Sequence, residues 1–252
     1  MLQVQQLVRH FGGIRAVDGV SFDVSGGECV ALIGPNGAGK STCFACIAGQ
    51  QTPSRGHVVW NGQVLDKLAP AERLRHGVAR TFQVAQVFEA LTVLQNVQLV
   101  IQATRGLSAI SAFKVLDGQA REQAFALLEQ TGLQAPADQD TQSLPYGAKK
   151  RLELAMALAA SPRLLLLDEP AAGLAEQERA SLMQLVKTLA GQGLAVLYTE
   201  HNMDAVAGVA DRVLVLIEGR LAAQGSFEEV SRDSMVRRLY LGDGRVEGVA
   251  CA

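Results

Sequence analysis

Leu144–Pro170 reads LPYGAKKRLELAMALAASPRLLLLDEP, and its three parts decide the fold. Pro145, Tyr146 and Gly147 make a turn, and Leu152, Leu154, Ala155, Leu158 and Ala159 recur at helical spacing across 148–160. Leu164–Leu167 is an aliphatic run of strand length that ends in Asp168-Glu169. Packing gives no reason for two carboxylates at the end of a buried strand. They mark chemistry, the plainer alternative being that they cap the turn before Pro170. Downstream the pattern alternates, with helix 177–189, strand 194–199, helix 202–207 and strand 212–218. Such alternation predicts an α/β chain with a mostly parallel sheet, its ligands beyond the carboxyl ends of the strands.

Upstream, residues 1–65 read as strands and turns: 2–8, 20–24, 28–33, and a hairpin of 57–60 and 63–65 turning at Asn61-Gly62. One helix interrupts them and ends near Gly49. Between Leu91 and Ala160 the apolar spacing is helical, as at Ala124, Leu127 and Leu128, which predicts a helical insert. The tail after Tyr240 is rich in Gly and expected to be loose.

The chain has 252 residues and a net charge of −2 from 23 basic and 25 acidic side chains, so no broad electrostatic footprint for nucleic acid exists. No apolar run approaches the ~18–20 residues of a membrane span, and no signal-peptide pattern opens the sequence. A cytoplasmic chain is expected. Cys43 and Cys46 spell C-x-x-C, a pattern open to redox chemistry or half a zinc site. Their place inside a helix, without a second pair, favours small core residues, and Cys29 and Cys251 complete no framework.

Gly34-Pro-Asn-Gly-Ala-Gly-Lys-Ser41 follows a strand and opens a helix, the setting a phosphate loop needs. Gly34, Asn36, Gly37, Ala38, Gly39, Lys40, Ser41 and Thr42 are its expected contacts: backbone N–H groups around phosphate oxygens, Lys40 on the β/γ-phosphates and Ser41 on Mg²⁺. Asp168 suits coordination of Mg²⁺. Glu169 suits polarisation of an attacking water as general base. Thr199-Glu200-His201 ends the next strand, which brings His201 to the same sheet edge, able to donate to a γ-phosphate oxygen or orient the water.

In this order, with Arg80-Thr-Phe-Gln83 between loop and turn, the chain resembles the ATP-binding subunit of an ABC transporter. The resemblance implies a P-loop NTPase fold with a RecA-like parallel-sheet core, an N-terminal antiparallel β subdomain and an inserted helical subdomain. By the same resemblance the whole chain is expected to form one ATPase domain, with 1–83 and 162–242 as β subdomain and core, 84–161 as helical subdomain and 243–252 as tail. It further implies ATP and Mg²⁺ as ligands, and Phe11 as the aromatic that stacks on adenine, with Val17 beside it, although Phe11 is open to a core role. Gln83 becomes the hinge residue that senses Mg²⁺ and the attacking water.

The signature turn departs from the common Leu-Ser-Gly-Gly-Gln form. Pro145 offers neither hydroxyl nor N–H, which leaves Tyr146, Gly147 and the helix N-terminus to meet a partner's phosphate. Lys149, Lys150 and Arg151 fall in the first turn, where the helix dipole disfavours cations, so each faces an anion, the solvent or a permease. Leu-x-Tyr-Gly, Arg-Thr-Phe-Gln, Leu-Asp-Glu-Pro-Ala-Ala-Gly-Leu and a terminal Tyr-Leu-Gly resemble the first of two ATPase subunits of branched-chain amino acid importers and their relatives. Ala175 and Pro145 depart from residues common there, Asn and Ala.

That resemblance implies a head-to-tail dimer, a paralogous ATPase as partner with a homodimer as the alternative, two integral-membrane permease subunits received by the helical insert and 83–93, and a periplasmic solute-binding protein. The subunit would lie on the inner face of the membrane through the permease. An ATPase of a lipid or lipopolysaccharide exporter and a soluble ABC ATPase are the rival readings.

Overall fold

The computed structural model describes residues 1–105 and 118–241. Its strands form two sheets. The first is antiparallel, in the order β2-β1-β4-β5, from β1 (Leu2–Phe11), β2 (Ile14–Val24), β4 (Arg55–Trp60) and β5 (Gln63–Val64). The second runs β10-β9-β3-β8-β7-β6, from β3 (Cys29–Ile33), β6 (Val78–Arg80), β7 (Leu164–Asp168), β8 (Ala195–Thr199), β9 (Arg212–Ile217) and β10 (Arg220–Gly225). All its neighbours pair parallel except β10 with β9.

The helices are α1 (Lys40–Ile47), α2 (Pro70–Arg75), α3 (Val93–Thr104), α4 (Gly118–Gln130), α5 (Tyr146–Ala159), α6 (Glu176–Gly191), α7 (Met203–Ala207) and α8 (Phe227–Arg232), followed by short turns to Leu241. β3 and all but the last residue of β7 are buried, as a sheet covered on both faces requires. Strand alternation then assigns side chains to two cores. Leu164 and Leu166 face α1 and the antiparallel sheet, with Phe44, Leu32 and Leu197. Leu165 and Leu167 face α6, with Leu182, Met183 and Val186. A third core joins α3, α4 and α5 through Val97, Ile101, Ala124, Leu128 and Leu152. Helix α5 belongs to two of these cores, since Leu154 packs under the sheet while Leu152 and Ala155 face α3 and α4.

β1 and β2 run longer than their apolar pattern suggests. Register shifts after Val4 and Arg9, with Gln6 at φ 47°, break the period of two that the pattern relies on. Helix α5 begins at Tyr146 rather than Ala148, because Pro145 takes the N-cap in extended geometry and the next residue can already turn helical. Cys43 and Cys46 lie fully buried in the first core, and burial pushes the Cys46 thiol up to about 11. Gly242, Cys251 and the rest of the tail lie outside the described residues.

Candidate active site

The phosphate loop leaves the end of β3 through Gly34 at φ 149°, Gly37 at 79° and Gly39 at 97°. A Cβ at Gly34 would stand 2.0 Å from the Leu216 carbonyl oxygen, and one at Gly39 2.1 Å from that of Ala16. Only glycine lets the loop press this closely on β9 and β2. The N-cap of α1, Gly39, offers no side-chain cap, and no acid stands in the first turn, so the helix start keeps its partial positive charge. Lys40 is 7% exposed, and its Nζ donates to the carbonyls of Gly34 at 2.7 Å and Pro35 at 3.0 Å. Burial lowers its pKa, and the charge of Glu169 opposes that shift. An open cleft of about 230 Å³ is lined by residues 36–42 with Ala16, Glu169 and His201. Its donors and size suit a polyphosphate; a whole ligand of drug size needs roughly 300–1,000 Å³.

At the same sheet edge, β7 and β8 pair with Asp168 opposite Thr199. Glu169, just past β7, adopts left-handed φ 46°, a conformation that costs energy in a non-glycine residue and needs its surroundings to fix it. Its backbone N–H donates to Thr199 Oγ1 at 3.0 Å, its Oε2 accepts from Gln83 Nε2 at 2.8 Å, and its Oε1 pairs with His201 Nε2 at 3.0 Å. Gln83, Glu169 and His201 therefore meet at one end of the phosphate cavity. Asp168 accepts the Thr199 hydroxyl at 2.9 Å on Oδ1 and Arg80 Nη2 at 2.6 Å on Oδ2. The Arg80 guanidinium also lies 5.7 Å above the Phe44 ring and 5.3 Å above that of Phe82, and bonds Gln50. Glu200, 4% exposed, accepts the N–H groups of His201 and Asn202 and so fixes the turn that carries His201.

Phe11 ends β1 half-exposed, with Arg9 4.7 Å above its ring. Val17, expected beside the adenine, is fully buried. Alternation along β2 turns it into the first core, and its neighbour Ala16 reaches the cavity wall instead. The cations of α5, expected to face an anion, the solvent or a permease, each have a partner within the chain. Lys149 pairs with Glu89 at 3.5 Å, Arg151 bonds the Thr131 carbonyl and the Ser181 hydroxyl, and Lys150 turns inward to the carbonyls of Phe82 and Gln83. Tyr146 directs its hydroxyl to the Gln83 carbonyl at 3.4 Å and packs its ring on Gly173. A Cβ on Gly147 would stand 2.7 Å from Glu178 Oε1, so its lack of a side chain makes room for that carboxylate.

Arg80, Thr199, Glu153 and Glu200 hold site residues or the backbone beside them and have no expected role in the sequence. Arg80, Thr199 and Glu200 lie inside the two motifs that mark Gln83 and His201, which is the one signal pointing to them.

Residues 17–172 match the family described as ABC transporter. Over 250 residues the chain is 37% identical to the high-affinity branched-chain amino acid transport ATP-binding protein LivG of Salmonella typhimurium, covering 96% of this chain and 98% of that protein. It is 36% identical to the lipopolysaccharide export system ATP-binding protein LptB of Acidithiobacillus ferridurans, covering 96% and 97%. Among solved structures, the ADP conformation of an ATP-binding cassette of an ABC transporter superposes with a TM-score of 0.86 at 30% identity, covering 96% of this chain and 99% of that one.

Proposed function

The chain belongs to the ABC transporter family of ATP-binding, ATP-hydrolysing subunits, and from that premise we propose that it energises import of branched-chain or related amino acids. The observation that carries the enzymatic half is the meeting of Gln83, Glu169 and His201 within hydrogen-bond distance at the mouth of the phosphate cavity. Lys40 and the N–H groups of the loop bind the phosphates, and Phe11 offers an aromatic face for adenine. Glu169 takes the proton of the attacking water, Gln83 fixes the carboxylate, and His201 orients the γ-phosphate end.

Ser41 Oγ, the Gln83 amide oxygen and the Asp168 carboxylate form an all-oxygen donor set of the hard kind Mg²⁺ prefers, and these residues would hold it. When bound, that ion neutralises developing phosphate charge. Arg80 and Thr199 hold Asp168 by both oxygens, so the carboxylate is oriented in advance.

In this reading two ATPase subunits close head to tail on ATP, this chain with a paralogue, and each turn at Tyr146–Gly147 meets the partner's phosphate. The division into a sheet-bearing part and a helical part, 84–161, gives the permeases a surface to push. That role is supported by an apolar groove of about 1260 Å³ between α2 and α3, lined by Leu74, Val87, Phe88, Leu91, Leu99 and Val100. None of the helices among the described residues is long and apolar enough to cross a membrane. In this reading the subunit attaches to the inner face through two permease subunits, with a periplasmic binding protein supplying the solute.

Glu169→Gln should keep ATP binding and slow hydrolysis by ~10²–10⁴-fold. Near-parental turnover of that variant, assembled with its partners, would remove Glu169 as the base. The 36% identity to a lipopolysaccharide-export subunit favours a second reading, export of a lipid. Tyr146 in the signature turn favours import, and transport of radiolabelled leucine against lipopolysaccharide release by the assembled complex separates the two.

A further inference from the structure

Beyond Thr81, whose N–H closes the last ladder bond to Leu166, the chain runs irregularly. Among the described residues, no backbone–backbone hydrogen bond engages 82–86. The backbone there is held instead by side chains of α5, the Tyr146 hydroxyl at 3.4 Å from the Gln83 carbonyl and two buried side chains one turn apart. Lys150 Nζ donates to the carbonyls of Phe82 at 3.1 Å and Gln83 at 2.5 Å. Glu153 Oε1 accepts the N–H groups of Phe82 at 2.9 Å and Gln86 at 3.3 Å. Both side chains are buried, 4% and 5% exposed, and they adjoin Leu167 and Pro170, which flank Asp168 and Glu169.

Stability alone gives little reason for this pair. Taking two charges out of water is costly, and well-packed apolar residues of similar volume often serve a core as well or better. Burial holds the Lys150 pKa down and the Glu153 pKa up, with each charge opposing part of the shift on the other. What the pair supplies is direction, because four backbone groups of one short segment are fixed relative to one helix. From that segment the Gln83 side chain reaches Glu169 Oε2 at 2.8 Å.

We propose that Lys150 and Glu153 are positioning residues that clamp Phe82–Gln86 to α5 and so hold the Gln83 side chain on Glu169. Because α5 starts at the Tyr146–Gly147 turn, displacement of that turn moves Gln83 with it. The proposal rests on the reading of Gln83 and Glu169 as reaction residues, but it needs no contact with a second chain.

The test is a double-mutant cycle on the full chain assembled with its partners, measuring kcat, KM and the Kd of a fluorescent ATP analogue. Lys150→Met should lower kcat by ~10–100-fold, the scale of a misplacement of about 1 Å, while Kd stays within about 2-fold of the parent. Lys150→Arg, which also donates to carbonyls, should recover most of the loss. In a Gln83→Ala background, Lys150→Met should cost less than about 2-fold. An equal factor in both backgrounds overturns the clamp, as does a Lys150→Met chain with parental kcat.

If Lys150→Met fails to fold, Glu153→Leu, which removes the acceptor oxygen, enters the same cycle, and the same outcomes decide. Hydrogen exchange gives a readout independent of turnover: the amides of Phe82 and Gln86 should lose protection in Glu153→Leu, and unchanged exchange there counts against the clamp. Parental turnover in Glu169→Gln or Gln83→Ala would instead sink the reading of those residues, a result the cycle reports separately.

Discussion

Thr199→Val removes one hydroxyl and little else, and two features of the site depend on that hydroxyl. Thr199 is 1% exposed; its Oγ1 accepts the Glu169 N–H at 3.0 Å and its hydroxyl donates to Asp168 Oδ1 at 2.9 Å. Valine keeps the volume, so packing changes little. The neutral bond contributes about 0.5–1.5 kcal/mol and the charge-assisted one about 1.5–3, which together predict a loss of ~2–4.5 kcal/mol. That is a large part of the ~5–15 kcal/mol that holds a typical domain folded. Glu169 loses the tether that keeps its left-handed backbone in place, so kcat should fall by ~10–100-fold as well. Urea unfolding measures the first effect and steady-state hydrolysis the second. Thr199→Ser, which keeps the hydroxyl, should stay within about 1 kcal/mol and about 3-fold. A valine variant with parental midpoint and kcat, or a serine variant as damaged as valine, would refute the role given to the hydroxyl.

Other substitutions probe separate parts of the chain. Arg73, buried at 1% exposure, donates to the carbonyls of Cys46, Ile47, Leu65 and Leu68, so Arg73→Met should lower the urea midpoint by ~2–4 kcal/mol equivalent through orphaned acceptors at the end of α1. Ala175 caps α6 with no side-chain bond, so Ala175→Asn should raise stability by ~0.5–2 kcal/mol in the same assay. Gly39→Ala drives a Cβ into the Ala16 carbonyl and should abolish binding of a fluorescent ATP analogue. Burial raises the pKa of Cys29 from 9.0 to about 12 and that of Cys46 from 9.0 to about 11. Above pH 9 the unfolded thiols lose protons that the folded ones keep, so stability should fall with rising pH, by up to ~1.4 kcal/mol per unit for each thiol. Lys40 and Lys150, whose pKa values burial lowers, act in the opposite sense, so the check is the difference from a chain with Cys29→Ala and Cys46→Ala: an identical change in urea midpoint between pH 9 and 10.5 in both chains would count against that burial.

The legible parts of this molecule were those written in consecutive residues. Leu164–Leu167 with Asp168-Glu169 announces a buried strand and its chemistry together, and the phosphate loop announces itself by glycines that only glycine can replace. The extent of β1 and β2 was hidden, because bulges at Gln6 and after Arg9 disturb the alternation that identifies strands. Val17 and Ala16 are adjacent in sequence, and which of them faces the site depends on strand phase beside such a bulge. Arg80 meets Asp168 across 88 positions and Glu153 meets Phe82 across 71, distances at which no local pattern operates. Lys150 is hidden for a further reason: a lysine in the first turn of a helix reads as facing an anion, the solvent or a permease, and only the irregular segment above it, with bare carbonyls, makes an interior place favourable.

The same reasoning resolves the electrostatic conflict at the start of α5. Three cations stand near the positive end of the helix dipole, yet each is drawn along the helix to an acceptor of its own: Glu89, the carbonyls of Phe82 and Gln83, and the Thr131 carbonyl with Ser181. The anion beside that end is Glu178 of α6, whose carboxylate fills the place where a side chain at 147 would lie. A side chain at 147 would have to displace the Glu178 carboxylate, so glycine there leaves that carboxylate its place beside the helix start. Pro145 adds no side-chain cap, so the first N–H groups of α5 depend on acceptors from outside the helix. A phosphate presented there would compete with Glu178 for the same positive end. Displacement of Glu178 would then act on α6, and any shift of α5 would reach Gln83 through Lys150 and Glu153.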